Sequence, residues 1–183
     1  MLAASTPQPL HDNIMKVSEL NCCSTEEAEA AFYRCCGCRA WAAAMAERRP
    51  YQSRAEVQAA AVAVWRGLSQ ADWLEAFAAH PRIGDINSLR EKYANTKGWA
   101  SGEQSGVAAA DDAVLRGLAE GNRAYEEKFG FIFIVCATGK SAAEMLGLLE
   151  ARLPNPRDRE MENAAAEQQK ITDLRILKWL EES

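Results

Sequence analysis

The sequence is poor in histidine: His11 and His80 are the only two in 183 residues. The side chain best suited to moving protons near neutral pH therefore has two possible positions. Net positive charge is also lacking. Lys and Arg number 21 against 26 Asp and Glu, a formal −5, which argues against a generic nucleic-acid binder. No apolar run approaches the roughly 18 residues of a membrane span, and the most hydrophobic one, Phe131–Ala137, is far shorter. The first residues show no charged segment leading into an apolar one, so no secretory signal is expected. The final Glu-Glu-Ser is not a peroxisomal address. Residues 1–15, with Pro7 and Pro9 and little periodicity, read as a loose leader, and residues 16–183 as one domain.

What is present is an ordinary globular composition, 48% apolar and 26% charged, in a chain long enough to bury roughly 70% of its unfolded surface. Such a chain needs no covalent staples. Its six cysteines, Cys22, Cys23, Cys35, Cys36, Cys38 and Cys136, include vicinal pairs that make a poor disulfide framework. Free thiols in a reducing cytoplasm are expected.

Helix signals dominate from residue 16 onward. Ser24-Thr25-Glu26-Glu27 is a capping box opening a helical segment to about Glu47. Ser53-Arg54-Ala55-Glu56 opens another to about Gly67, and Ser69 with Asp72 a short one ending near Ala79. Residues 111–128 read as helix with Gly130 just beyond its end. Ser141-Ala142-Ala143-Glu144 starts a helix to about Leu153, stopped by Pro154 and Pro156. Arg157–Leu180 makes a long last helix with Ile171, Leu174 and Leu177 on one stripe. Only Phe131–Cys136 is strand-like in composition. One strand has nothing to pair with, so this run is expected to be a buried extended or helical segment. The resulting expectation is an all-α, single-domain bundle of about eight to nine helices with no sheet, and with one long irregular stretch from Pro81 to about Gly106.

Three local patterns invite a chemical reading. Cys35-Cys36-Gly37-Cys38 contains a C-x-x-C, but zinc would need two further ligands and a thioredoxin-like site a βαβ context. Small apolar packing inside a helix accounts for it better. Thr138-Gly139-Lys140-Ser141 resembles the end of a phosphate-binding loop, but Ile134 stands where that loop needs its first glycine. A helix start capped by Ser141 is the better reading. His80-Pro81-Arg82-Ile83-Gly84 is followed some twenty residues later by Ser101-Gly102-Glu103-Gln104-Ser105-Gly106. A histidine and a carboxylate brought together form a proton-transfer pair.

These last two stretches, with Asn122-x-x-Tyr125-x-x-Lys128-Phe129-Gly130-Phe131-x-Phe133, the following Ile134–Ala137, Arg152-Leu153-x-Asn155 and Lys170-Ile171-x-x-Leu174-Arg175, resemble the 2-oxo-4-hydroxy-4-carboxy-5-ureidoimidazoline (OHCU) decarboxylases. The resemblance spans about residues 17–180. It implies an all-helical, usually homodimeric enzyme with no metal or organic cofactor, acting on a small anionic ureidoimidazoline in the last step from urate to (S)-allantoin. By motif position, His80 would be the catalytic acid/base with Pro81 shaping its surroundings. Glu103 and Gln104 would contact substrate, Glu103 also supporting His80. Phe133, Ile134, Val135, Cys136 and Ala137 would line the site, and Arg175 would bind substrate. The family often has Ser three residues before the Glu; Ala100 stands there, and Ser101 is the neighbouring hydroxyl.

The residue types suit that chemistry. Losing CO₂ leaves an electron pair that the ring can take as an enolate. The protein must hold an anion, favour loss of the carboxylate and deliver one proton to one face. Arginine offers a permanent, planar fork of donors, and histidine can take or give the proton. Two other classes compete: a non-enzymatic helical interaction module, with these residues scattered, and a cysteine-based redox or metal protein.

Overall fold

The computed structural model describes residues 14–82, Asn87, Leu89 and 104–181, with side chains of the last stretch from residue 112 on. Eight helices have described bounds: α1 Val17–Cys22, α2 Thr25–Cys36, α3 Arg39–Glu47, α4 Arg54–Arg66, α5 Gln70–Ala78, α6 Gln104–Phe129, α7 Ala142–Arg152 and α8 Arg157–Trp179. The mainly helical expectation holds. The departure from "no sheet" is a parallel pair of two-residue strands, β1 Met15–Lys16 and β2 Leu180–Glu181, with Met15 opposite Leu180. Pairing this short carries no sequence pattern, because two residues show no alternation. No helix among the described residues is long and apolar enough to cross a membrane.

The capping signals act as read. Ser24, Ser69 and Ser141 accept from the backbone N–H groups of Glu27, Asp72 and Glu144, and each acid reaches back to its cap. Ser53 accepts from Glu56 N–H, but the Glu56 carboxylate accepts from Gln52 N–H, at 2.6 Å, rather than from its own cap. Gly130 ends α6 with φ of +79° and its N–H on Glu126 O at 2.9 Å.

The chain divides into two compact units, residues 1–79 with 165–183, and residues 80–164. In the first, the expected single helix from Thr25 to Glu47 is broken in two. Gly37 takes φ +78°, and Cys38 becomes the cap of α3, its Sγ accepting from Trp41 N–H at 3.4 Å. The cause is tertiary. A Cβ on Gly37 would lie 2.5 Å from the Ala79 Cβ, so only glycine admits this approach in a left-handed conformation. Gly37→Ala is expected to cost at least about 2 kcal/mol, read as a lower urea midpoint at unchanged slope.

The core of this unit is aromatic. Phe32 stands edge-on to Trp41, Tyr51 and Trp179 at centroid distances of 5.8, 6.3 and 5.6 Å. Two of the indole N–H groups are satisfied by backbone: Trp41 donates to Ala61 O and Trp65 to Ala165 O. The stripe expected on α8 is displaced. Ile171 and Leu174 are half-buried and Leu177 is 39% exposed, while Gln168, Thr172, Ile176 and Trp179 are buried. Gln168 qualifies for the core because its amide donates to Cys36 O and Thr172 Oγ1.

In the second unit α6 packs on α7 through small residues. A Cβ on Gly121 would fall 2.5 Å from Leu149 Cδ2. Tyr125, Phe129, Phe131 and Phe133 form a ring cluster with centroids 4.5–6.1 Å apart. Helix α6 begins at Gln104, seven residues before the expected start and inside the stretch read as irregular. Most of the remainder of that stretch, 83–86, 88 and 90–103, lies outside the described residues.

Candidate active site

Residues 131–137 leave α6 after Gly130 as a run that belongs to neither helix nor strand. Burial alternates along it: Ile134 and Cys136 are buried, while Phe133, Val135 and Ala137 are half-buried. Without a ladder, its carbonyls need other donors. Arg152 Nη1 donates to Ile134 O at 2.8 Å, and Lys140 Nζ to Cys136 O at 2.7 Å. The turn closes with Lys140 N–H on Ala137 O at 3.1 Å.

Arg152 is itself held inside the second unit. Its guanidinium pairs with Glu160, a carboxylate with no exposed surface. It also donates to Tyr125 Oη at 3.2 Å and lies 4.7 Å from the centroid of the Phe133 ring. Around Glu160, Tyr125 Oη donates to Oε1 at 2.5 Å, while Asn155 and Asn163 donate to Oε2 at 2.8 and 3.0 Å. Burial alone would push the Glu160 carboxyl up. The donors from Tyr125, Asn155, Arg152 and Asn163 outweigh it and hold the group below the ordinary carboxylate range. Burial, and the hydrogen bond into Glu160, push the Tyr125 phenol well above its usual value, so it stays a neutral donor.

The residues picked from the sequence fall as follows. His80 is half-buried just past α5, and Pro81 is exposed. Arg82 pairs with Glu126 of α6 at 2.6 Å. Arg82 is largely in solvent and Glu126 partly so, so the pair contributes little energy, but it brings the segment after His80 to the face of α6 adjoining Tyr125. Gln104 is the first residue of α6. Ala100, Ser101 and Glu103 lie outside the described residues. Arg175 belongs to the other compact unit, half-buried on α8, with Nη1 donating to Cys35 O at 3.0 Å in the last turn of α2, where carbonyls lack intrahelical partners.

The cysteine motif resolves as packing. Cys35, Cys36 and Cys38 are free and buried. Burial pushes the Cys35 and Cys36 thiols up to about 12, away from the thiolate form that reacts or binds metal.

Sequence reading missed the role of Glu160. It sits in Arg157-Asp-Arg-Glu-Met-Glu, which looks like a solvated helix start. The signal available was spacing: Glu160, Ala164, Gln168 and Thr172 recur every four residues on the buried face of α8. Tyr125, Arg152 and Asn155 were visible as motif members without a role.

The OHCU decarboxylase family model matches residues 21–177. A uric acid degradation bifunctional protein of Arabidopsis thaliana is 40% identical over 144 residues, which are 79% of this chain and 44% of that protein. An OHCU decarboxylase of Amia calva is 26% identical over 88% of this chain and 93% of its own. The chain thus spans less than half the length of the bifunctional relatives it matches, about a quarter in the case of Bacillus subtilis. Among solved structures, an OHCU decarboxylase crystallised in the presence of (S)-allantoin is 36% identical, with a TM-score of 0.65, covering 85% of this chain and 97% of that one. A second, an (S)-allantoin synthase, is 20% identical with a TM-score of 0.67 and shares the fold. With a family model matching most of its length and a solved member covered almost end to end, this chain belongs to the OHCU decarboxylase family.

Proposed function

We propose that the chain decarboxylates 2-oxo-4-hydroxy-4-carboxy-5-ureidoimidazoline to (S)-allantoin and CO₂ in urate degradation. The observation that carries this reading is the family match over residues 21–177, which includes His80, Glu103, Gln104, residues 133–137 and Arg175. In the reaction the bond to the carboxylate breaks, its electron pair enters the conjugated ring as an enolate, and reprotonation on one face sets the (S) centre. The ring is its own electron sink, so the step asks for no organic cofactor or metal.

His80 is the acid/base that takes the hydroxyl proton or delivers one to carbon. Glu103 and Gln104 hold and polarise the substrate, with Ser101 beside them where Ala100 replaces the family's usual hydroxyl. The run 133–137 forms the wall that keeps water out, which strengthens every polar contact inside, and Pro81 shapes the surroundings of His80. Arg175 binds the anion. The same reading extends to a homodimer working in the cytoplasm.

The direct test generates the unstable substrate from urate with its two upstream enzymes, adds this protein and follows optical rotation. Rapid appearance of (S)-allantoin supports the reading. Slow racemic product, as from spontaneous decay, defeats it.

Arg175→Ala is expected to raise KM with little change in kcat, since uniform binding lost from ground and transition states acts that way. The same substitution strips the donor from Cys35 O, so a loss of roughly 1.5–3 kcal/mol of stability should accompany it. Steady-state kinetics and a urea titration separate the two effects. A pure kcat effect would contradict the binding role.

A further inference from the structure

The Thr138-Gly139-Lys140-Ser141 stretch looked like a phosphate loop and is not one, yet Lys140 is not idle. Its ammonium is a compact, strongly hydrated charge that favours water. Here it is half-buried and turned back along the chain onto Cys136 O at 2.7 Å. Gly139, at φ +76°, provides the turn that allows this. Two residues earlier on the same run, Ile134 O accepts from Arg152 at 2.8 Å. Two cations from different places thus grip alternate carbonyls of one ladder-free segment. Arg152 is anchored in turn by Glu160 and Tyr125.

In a trans peptide the carbonyl and the N–H point in opposite directions. Fixing Ile134 O and Cys136 O toward the cations therefore aims the N–H groups of Val135 and Ala137 away from them. Each N–H is also made a better donor by the charge-assisted bond on its own peptide.

We propose that Lys140 and Arg152 are positioning residues that clamp the 134–137 backbone so that these two amides are presented, parallel and polarised, to an oxygen of the substrate. Glu160 is the fixed post to which the clamp is tied. This rests on the reading that residues 133–137 line the site. Neither side chain touches substrate; both act through the peptide groups they hold.

Lys140 is the informative position, because it is half-buried at a turn and its loss leaves the Glu160 network intact. Lys140→Met keeps the apolar stem and removes the cation. Lys140→Arg restores a donor. Hydrogen exchange of the 131–137 amides, followed by mass spectrometry, is expected to accelerate at least about threefold in Lys140→Met while α2 and α8 stay unchanged. The value of kcat/KM on enzymatically generated substrate should fall at least about tenfold, and Lys140→Arg should recover both.

Unaltered exchange in that segment overturns the clamp, as does a loosened segment with kcat/KM intact. A purely structural lysine would lower the melting temperature without moving kcat/KM well below it, which also counts against the proposal. If the wild type yields no excess of (S)-allantoin, the functional reading falls, and the clamp stands or falls on exchange alone.

Discussion

Replacing His80 with alanine is expected to lower turnover by at least about 10²-fold while leaving the melting temperature within a few degrees of wild type. The reason is scarcity. Proton transfer near neutral pH favours imidazole, and the chain holds two. His11 belongs to the first residues, outside the described structure and outside the family match that starts at residue 21. His80 lies inside that match, immediately before Pro81, whose ring restricts the backbone of the residue ahead of it. The side chain is half-buried, so truncation opens no sealed cavity and the cost should fall on chemistry. Turnover measured by optical rotation, beside a thermal melt of the same preparation, decides the matter. Near-wild-type activity in the variant would remove His80 from the mechanism.

The second large effect is on stability. Glu160→Gln is expected to destabilise the protein by about 3–5 kcal/mol, because it leaves the Arg152 guanidinium buried without its counter-charge. At this chain length that corresponds to a melting temperature lower by roughly 6–20 °C. The groups facing Glu160 are the Arg152 cation and the neutral donors Tyr125, Asn155 and Asn163. They hold its carboxyl below the ordinary value of about 4.3.

The sign of the pH effect follows from that direction. Folded Glu160 binds its proton less readily than the unfolded chain does. Its contribution is complete above the ordinary carboxylate pKa and is lost as pH falls through the lower, folded one. Wild type should therefore lose stability steeply on acidification below about pH 4, and Glu160→Gln should be flatter over the same window. Melting temperatures of both proteins between pH 6 and 3 test this. Parallel curves would mean that Glu160 is not ionised in the fold.

The effect should reach the site as well. Arg152 holds Ile134 O, so slackening its anchor frees the run that the proposed site uses. Glu160→Gln is expected to lower kcat/KM even at temperatures where the protein remains folded. This links the stability prediction to the clamp.

Much of the fold is legible in local chemistry. Ser24, Ser53, Ser69 and Ser141 start helices because a hydroxyl at that position answers an orphan N–H within three residues. Gly130 and the Pro154–Pro156 pair end them for equally local reasons. The missing strand partner for Phe131–Cys136 is likewise an inference from counting. His80 stands out as the candidate acid/base because rare residue types leave few alternatives.

Other features were not legible, and the reason is shared. Gly37 breaks what looks like one helix because Ala79, forty-two positions away in sequence, approaches to where a Cβ would stand. The buried stripe of α8 is set by Gln168 and Thr172, polar residues that enter the core only because Cys36 O is there to accept. Glu160 looks solvated until Tyr125, Arg152, Asn155 and Asn163 are seen around it. Lys140 has no legible role in the sequence, where Ile134 already argues against a phosphate-binding loop, until its ammonium is found on Cys136 O.

By itself, then, the sequence determined most of the helices with their serine caps, since each depends on groups within a few residues, and it singled out His80 as the candidate for the proposed chemistry. Tertiary structure alone decided where the first long helix breaks, which polar side chains are buried, and how the ladder-free run is held. Those outcomes turn on whether a distant group supplies the hydrogen bond or the space that the local sequence lacks.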